Sequence, residues 1–190
     1  MKGYFIDLSN STLQEIISDV KLQAQDYPDQ MRYWSERGVI FERKIAPVMV
    51  GADRYLPMRW GIARRGVYIL ELKGETIHNR RVFNKAIINN RCLLPASGYF
   101  GIEKHDGKYI RYRVSSPEDL IYFAGCYVKD KFRSEPFYRF IILTQSAEQV
   151  HIATNDYIPV IVPQDQFENW LNETPDVIRF TPPELIFEIT

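Results

Sequence analysis

Apolar residues recur with two different periods along this chain. Leu13, Ile16, Ile17 and Val20 fall three and four residues apart, which places them on one face of a helix. Ser11 and Gln14 fit a capping box at its start, and Tyr27-Pro28 marks where it must have ended. Most of the remaining apolar residues come in short runs with the spacing of strands. Residues 3–8 form one candidate and 28–38 read as polar and irregular. Residues 39–44 form another strand, followed by Ile45-Ala46-Pro47 and a second short run, Val48-Met49-Val50. Gly51 to Arg54 reads as a turn into a strand over 55–62, and 67–72 is a further candidate. Val82, Phe83, Ala86 and Ile87 predict a short amphipathic helix within 78–90. Asp106-Gly107, between apolar runs at 93–103 and 108–114, is the strongest hairpin signal. Residues 120–128 and 138–144 are apolar enough for central strands, and 158–162 is one more. A helix is expected over 163–171, with Phe167, Trp170 and Leu171 on one side. The tail, 172–190, carries three prolines and reads as an extended strap.

The pattern predicts one β-rich α+β domain over residues 1–190 with a few short helices. A chain of 190 residues buries a core without staples. Composition agrees: 45% hydrophobic and 25% charged residues are ordinary for a folded protein. Twelve Tyr and eleven Phe favour strands and supply stacking surfaces. Cys92 and Cys126 sit in apolar runs and read as buried thiols. No Cys/His spacing suggests zinc, so no metal or other cofactor is expected. No apolar stretch approaches the roughly 18 residues of a membrane span. The N-terminus turns acidic too soon for a signal peptide, so a cytoplasmic protein is the expectation.

Net charge is zero, which by itself points to no nucleic-acid partner, but the charge is uneven. Between Arg54 and Arg91 nine basic residues face Glu71 and Glu75 alone, a net charge of +7. After Thr144, Arg179 is the only Lys or Arg. A local basic strip can hold phosphates on a neutral protein.

Several motifs follow one another in a specific order: Ile45-Ala46-Pro47, Arg59-Trp60-Gly61-Ile62, Glu75-Thr76, Phe83, Arg91-Cys92-Leu93-Leu94-Pro95-Ala96, Gly98-Tyr99, Phe123-Ala124-Gly125, Thr144 and Pro159-Val160-Ile161. In order and spacing they resemble the SOS-response-associated peptidase (SRAP) family, chiefly over residues 41–171. The resemblance implies a role in the DNA-damage (SOS) response. Members act on abasic sites in single-stranded DNA. A cysteine directly after the initiator Met forms a thiazolidine with the ring-opened sugar, giving a stable protein–DNA crosslink, with an Asn, a Glu and a His around it. The family name reflects self-removal of N-terminal residues.

At those positions this chain departs from the family. Lys2 stands for the cysteine, Glu71 for the Asn, Gly101 for the Glu (with Glu103 two residues on) and Asn155 for the His. Lys73 replaces an Arg and so keeps charge but loses the bidentate fork. Lysine has no thiol, so a thiazolidine cannot close at Lys2. Lys2, Glu71, Glu103 and Asn155 are therefore the candidate site residues of a degenerate active site. Arg59, Trp60, Lys73, Arg80, Arg81 and Tyr99 are the candidate DNA-binding residues, through phosphate contacts and base stacking. Three readings stay open. The first is a single-stranded-DNA binder that has lost the crosslink. The second is an abasic-site lyase forming an imine through Lys2 or the Met1 amine. The third is an interaction or ligand-binding protein on a reused scaffold. His78, His105 and His151 are weaker candidates: His78 lies in the basic strip, His105 at the hairpin tip, and His151 four residues before the family's His position.

Overall fold

The structure is a computed structural model that describes residues 3–35, 38–64, 66–117, 120–130, 137–147, 156–173 and 178–190, with the backbone alone at 82, 103–105 and 130. In chain order the elements are β1 (Tyr4–Phe5), α1 (Ser11–Ala24), α2 (Pro28–Met31), β2 (Val39–Ile40), β3 (Ile45–Gly51), β4 (Arg54–Trp60), β5 (Ile62–Arg64), β6 (Val67–Ile69), β7 (Glu71–Lys73), α3 (Arg81–Asn89), β8 (Arg91–Ala96), β9 (Gly98–His105), β10 (Lys108–Ser115), β11 (Ile121–Asp130), β12 (Phe137–Ser146), β13 (Tyr157–Pro159), α4 (Phe167–Asn172) and β14 (Ile186–Ile189). Single 3₁₀ segments, Gly74–Asn79 and Gln164–Gln166, precede α3 and α4. The β-rich α+β expectation holds.

Strands β11, β8, β3, β4 and β12 form a continuous path, and β12 pairs back onto β11 to close a small barrel. β12 holds the closure together. It runs antiparallel to β11 through residues 137–142 and parallel to β4 and then β7 on its other side, and it meets β13 at its end. Such a strand is covered on both faces, which is why Phe137–Ser146 is buried almost throughout and carries the apolar run 140–143 at its centre. A second sheet, ordered β14-β10-β9-β1-β2 and wholly antiparallel, packs beside the barrel.

Period-two alternation divides the core. Cys92, Leu94, Phe123, Phe140 and Ile142 point into one cluster together with Tyr4, Trp60 and Tyr99. Their neighbours Leu93, Tyr122, Ala124, Cys126, Ile141 and Leu143 point to the other side. There they pack with Phe83 and Ile87 of α3 and with Trp170 of α4.

Several expectations need correction. The cap of α1 is Asn10, whose Oδ1 accepts the Leu13 N–H (3.0 Å), while the Gln14 amide reaches back to the Leu8 carbonyl. Asn10 therefore takes the role expected of Ser11. Residues 28–38 contain α2, with Pro28 in its first turn, where its missing N–H costs nothing. The strand expected over 39–44 stops at Ile40, because Arg43 turns with a positive φ of 66°. Pro47 does not break β3. It lies opposite Pro57 of β4, and two prolines fit a pair that exchanges no hydrogen bonds. The apolar run 93–103 splits at Ser97, where the chain leaves the barrel for the second sheet. The expected hairpin is present: His105 pairs with Lys108 around Asp106 and Gly107, both with positive φ. The tail strap ends as a strand, β14, paired with β10.

Candidate functional site

The N-terminal strand, β1, lies within the second sheet, between β9 and β2. Gly3 is the first residue described, and its carbonyl accepts the Phe100 N–H (3.0 Å), one residue before Gly101. Tyr4 pairs with Ile40 on one side and Tyr99 on the other, and its side chain is fully buried. Its ring meets Trp60 edge-on at 5.5 Å and Phe123 at 5.9 Å. The Trp60 indole Nε1 donates to the Leu70 carbonyl (3.0 Å), which also accepts the Ile142 N–H (3.0 Å). Glu71 follows directly and pairs in parallel with Ile142; Lys73 pairs with Thr144, and Thr144 with Pro159. Buried contacts thus link the strand that follows Lys2 to the strand that carries Glu71 and Lys73. Glu71 is half-buried. The Lys73 ammonium lies 3.6 Å above the centre of the Tyr157 ring, a contact that no local sequence signal announced.

Lys2, His151 and Asn155 lie outside the described residues, and the side chains of Glu103 and His105 do too. Lys73, Arg80 and Arg81 are exposed, as a phosphate-binding role requires. Arg80 caps α3 without a side-chain hydrogen bond, and its first turn carries no acid. Two cations at the positive end of a helix are locally unfavourable unless an anion joins them. His78 Nδ1 lies 3.0 Å from Asn84 Oδ1 beside them.

Three of the predicted DNA contacts belong to the interior instead. Trp60 and Tyr99 are each 1% exposed, so neither ring offers a base a free face. Arg59 is 3% exposed. Its Nε donates to the Arg43 carbonyl (2.9 Å) and its guanidinium carbon sits 3.3 Å from the centre of the Tyr33 ring. Burial, and then the adjacent Arg139, lowers the Arg59 pKa from its ordinary value. Arg91, counted in the basic strip, is also withdrawn. It donates to the carbonyls of Ile87 (2.6 Å) and Ile88 (2.9 Å) at the end of α3, and to those of Trp170 and Leu171 in α4. Among the described residues the exposed strip therefore consists of Arg54, Arg64, Lys73, Arg80, Arg81 and Lys85, and Arg65 lies outside them.

The other nucleophiles are masked by burial. Cys92 and Cys126 are both fully enclosed. Burial raises the Cys92 thiol well above its ordinary range, with Cys126 adding to the effect, and pushes Cys126 up to about 12. A thiol so placed is neither reachable nor ionised near neutral pH. Burial, and then Cys92, also raises the Tyr4 phenol. Among the described residues no group of three or more His, Cys, Asp or Glu could hold a metal ion. Among them, too, no helix is long and apolar enough to cross a membrane.

A family model described as SOS response associated peptidase (SRAP) matches residues 6–181. The chain belongs to the SRAP family. Within it, the chain is 26% identical over 140 residues to the abasic site processing protein YoaM of Bacillus subtilis, a match spanning 67% of this chain and 62% of that relative. It is likewise 26% identical over 131 residues to the abasic site processing protein YoqW of the same organism, spanning 63% of this chain and 58% of the relative. The matches thus reach less than two thirds of those relatives' own length. The fold is shared with a crystal structure from Bordetella bronchiseptica (TM-score 0.70, 18% identity, covering 100% of this chain and 99% of that one). It is shared too with one from Bacteroides thetaiotaomicron (TM-score 0.69, 19% identity, covering 90% and 87%).

Proposed function

We propose that this SRAP protein binds single-stranded DNA at or near abasic sites, in the context of DNA damage, and does not form a thiazolidine crosslink. The observation that carries the reading is the state of the thiols. Position 2 holds lysine, and Cys92 and Cys126 are enclosed with raised pKa values. A thiazolidine needs an amine and a thiol on adjacent carbons, and no accessible group here supplies both. Strand binding is supported by the names of the Bacillus relatives and by the exposed cations Lys73, Arg80 and Arg81, which follow Glu71 in sequence.

The test uses a single-stranded oligonucleotide with one abasic site, incubated with and without borohydride and resolved on a denaturing gel. Binding is followed in parallel by anisotropy across a salt series. Salt-sensitive binding without a covalent adduct is expected. Replacing Lys73, Arg80 and Arg81 by Ala should lower the slope of log affinity against log salt by about 2, roughly 0.7 per lost phosphate contact. A heat-stable adduct without borohydride would sink the claim that crosslinking is lost. An adduct seen only with borohydride, together with strand cleavage in its absence, would make the protein a lyase, with Lys2→Ala identifying the amine. Absence of both adduct and binding would leave a reused scaffold.

A further inference from the structure

The second sheet turns one face toward the core and the other toward solvent. On β10, Tyr112 and Val114 pack inward. Tyr109, Arg111 and Arg113 alternate with them and face outward. Across β9 their register partners are Lys104, Ile102 and Phe100. Phe5 of β1 falls on the same outer face, where its ring lies 5.4 Å from that of Phe100. Two large aromatic rings thus lie on this side of the sheet, each covered by an arginine; Phe100 is partly exposed and Phe5 is buried, at 6%. The Arg111 guanidinium carbon lies 4.4 Å from the centre of Phe100, and that of Arg113 lies 4.4 Å from the centre of Phe5. Farther along the face, Tyr109 is 75% exposed.

We propose that this face is a second contact surface for single-stranded nucleic acid, with bases stacking on the Arg111–Phe100 and Arg113–Phe5 pairs and on Tyr109. The inference rests on the strand-binding reading and extends it to a surface outside the positions the family uses. A guanidinium lying flat on a phenyl ring keeps its second face open to a base, while its N–H edge can meet a phosphate. Two acids act on Arg113: Glu188 of β14 lies 4.0 Å from it, and the Asp7 carboxyl is held below its ordinary pKa by the Ser9 N–H and hydroxyl and then by Arg113. Phe100 lies beside the N-terminal strand, its N–H bonded to the carbonyl of Gly3.

The test measures anisotropy with undamaged oligothymidylates of about 8 and about 24 nucleotides, lengths within and beyond what one such surface spans. In Arg111→Ala/Arg113→Ala, affinity for the longer strand should fall about tenfold and the salt slope by about 1.4, two contacts at roughly 0.7 each. Affinity for the short strand and the melting temperature should stay unchanged. Tyr109→Ala should weaken the longer strand several-fold. Arg111→Lys/Arg113→Lys should restore the slope without the affinity, because an ammonium keeps the charge and loses the stack. Unchanged long-strand affinity in the double Ala variant would overturn the proposal. So would an equal loss at both lengths with a lowered melting temperature, which would make the arginines mere covers for the rings. If Lys73→Ala/Arg80→Ala/Arg81→Ala abolishes binding while the β10 variant changes nothing, this surface alone is refuted. If the unaltered protein binds neither strand, the strand-binding reading itself has failed.

Discussion

Arg91 and Trp170 secure each other from opposite directions. The Arg91 guanidinium donates to the Trp170 carbonyl, and the Trp170 indole Nε1 donates to the carbonyl of Cys92, the residue after Arg91 (3.0 Å). With its bonds to Ile87, Ile88 and Leu171, Arg91 holds the ends of α3 and α4 against β8. A helix end leaves its last carbonyls without partners inside the helix, and here one buried cation serves two such ends.

Arg91→Ala should therefore lower stability by about 2–4 kcal/mol, since it opens a cavity and strands several carbonyls. Arg91→Lys should recover only part, because an ammonium cannot spread over four acceptors in a fixed fork. Denaturant titration followed by circular dichroism measures both. A loss below about 0.5 kcal/mol for the Ala variant would show that the carbonyls are satisfied in some other way.

Trp60→Phe separates a core role from a DNA-stacking role. The ring lies parallel to Phe140 (6.4 Å between centres, 3°) and its Nε1 holds the Leu70 carbonyl. Removing that donor and part of the ring should cost about 1–3 kcal/mol. Affinity for single-stranded DNA should be unaffected while the protein stays folded. A tenfold drop in affinity at unchanged stability would instead place the ring in the DNA contact.

Alkali should unfold the protein cooperatively. Burial raises the pKa of Cys92, Cys126, Tyr4 and Tyr99 in the folded state. A group with a raised folded pKa contributes stability that is fully present below its unfolded pKa and is lost as pH climbs toward the folded value. For Cys126 that window runs from 9.0 to about 12. Thiol alkylation should appear above about pH 9 together with the loss of native circular dichroism. Alkylation of either cysteine at pH 8 in the native state would show that its thiol is accessible and overturn the enclosed packing.

The sequence was legible where the signal was local. The Asp106-Gly107 turn, the α1 stripe and the apolar β12 run all describe neighbours in the chain, and each appears in the fold. Errors arose where a residue's role depends on a distant partner. The runs 45–47 and 48–50 read as separate until Pro57 lies opposite Pro47 and one strand spans both. Arg59 reads as a phosphate ligand until the Tyr33 ring covers it. The Lys73–Tyr157 contact had no local signal, because it joins residues from β7 and β13, on either side of the barrel's closing strand.

Sequence alone determined the family scaffold, the strand-rich composition and the lysine at position 2, since these depend only on which residue stands at which position. Tertiary structure decided which of those residues meet solvent. Exposure follows from how two sheets and two helices pack, and a strand presents its alternate residues to opposite sides. Arg59, Trp60, Arg91 and Tyr99 were turned inward by that packing, whereas Arg80 and Arg81 at a helix start, and Arg111 and Arg113 on the outer sheet face, were left facing water.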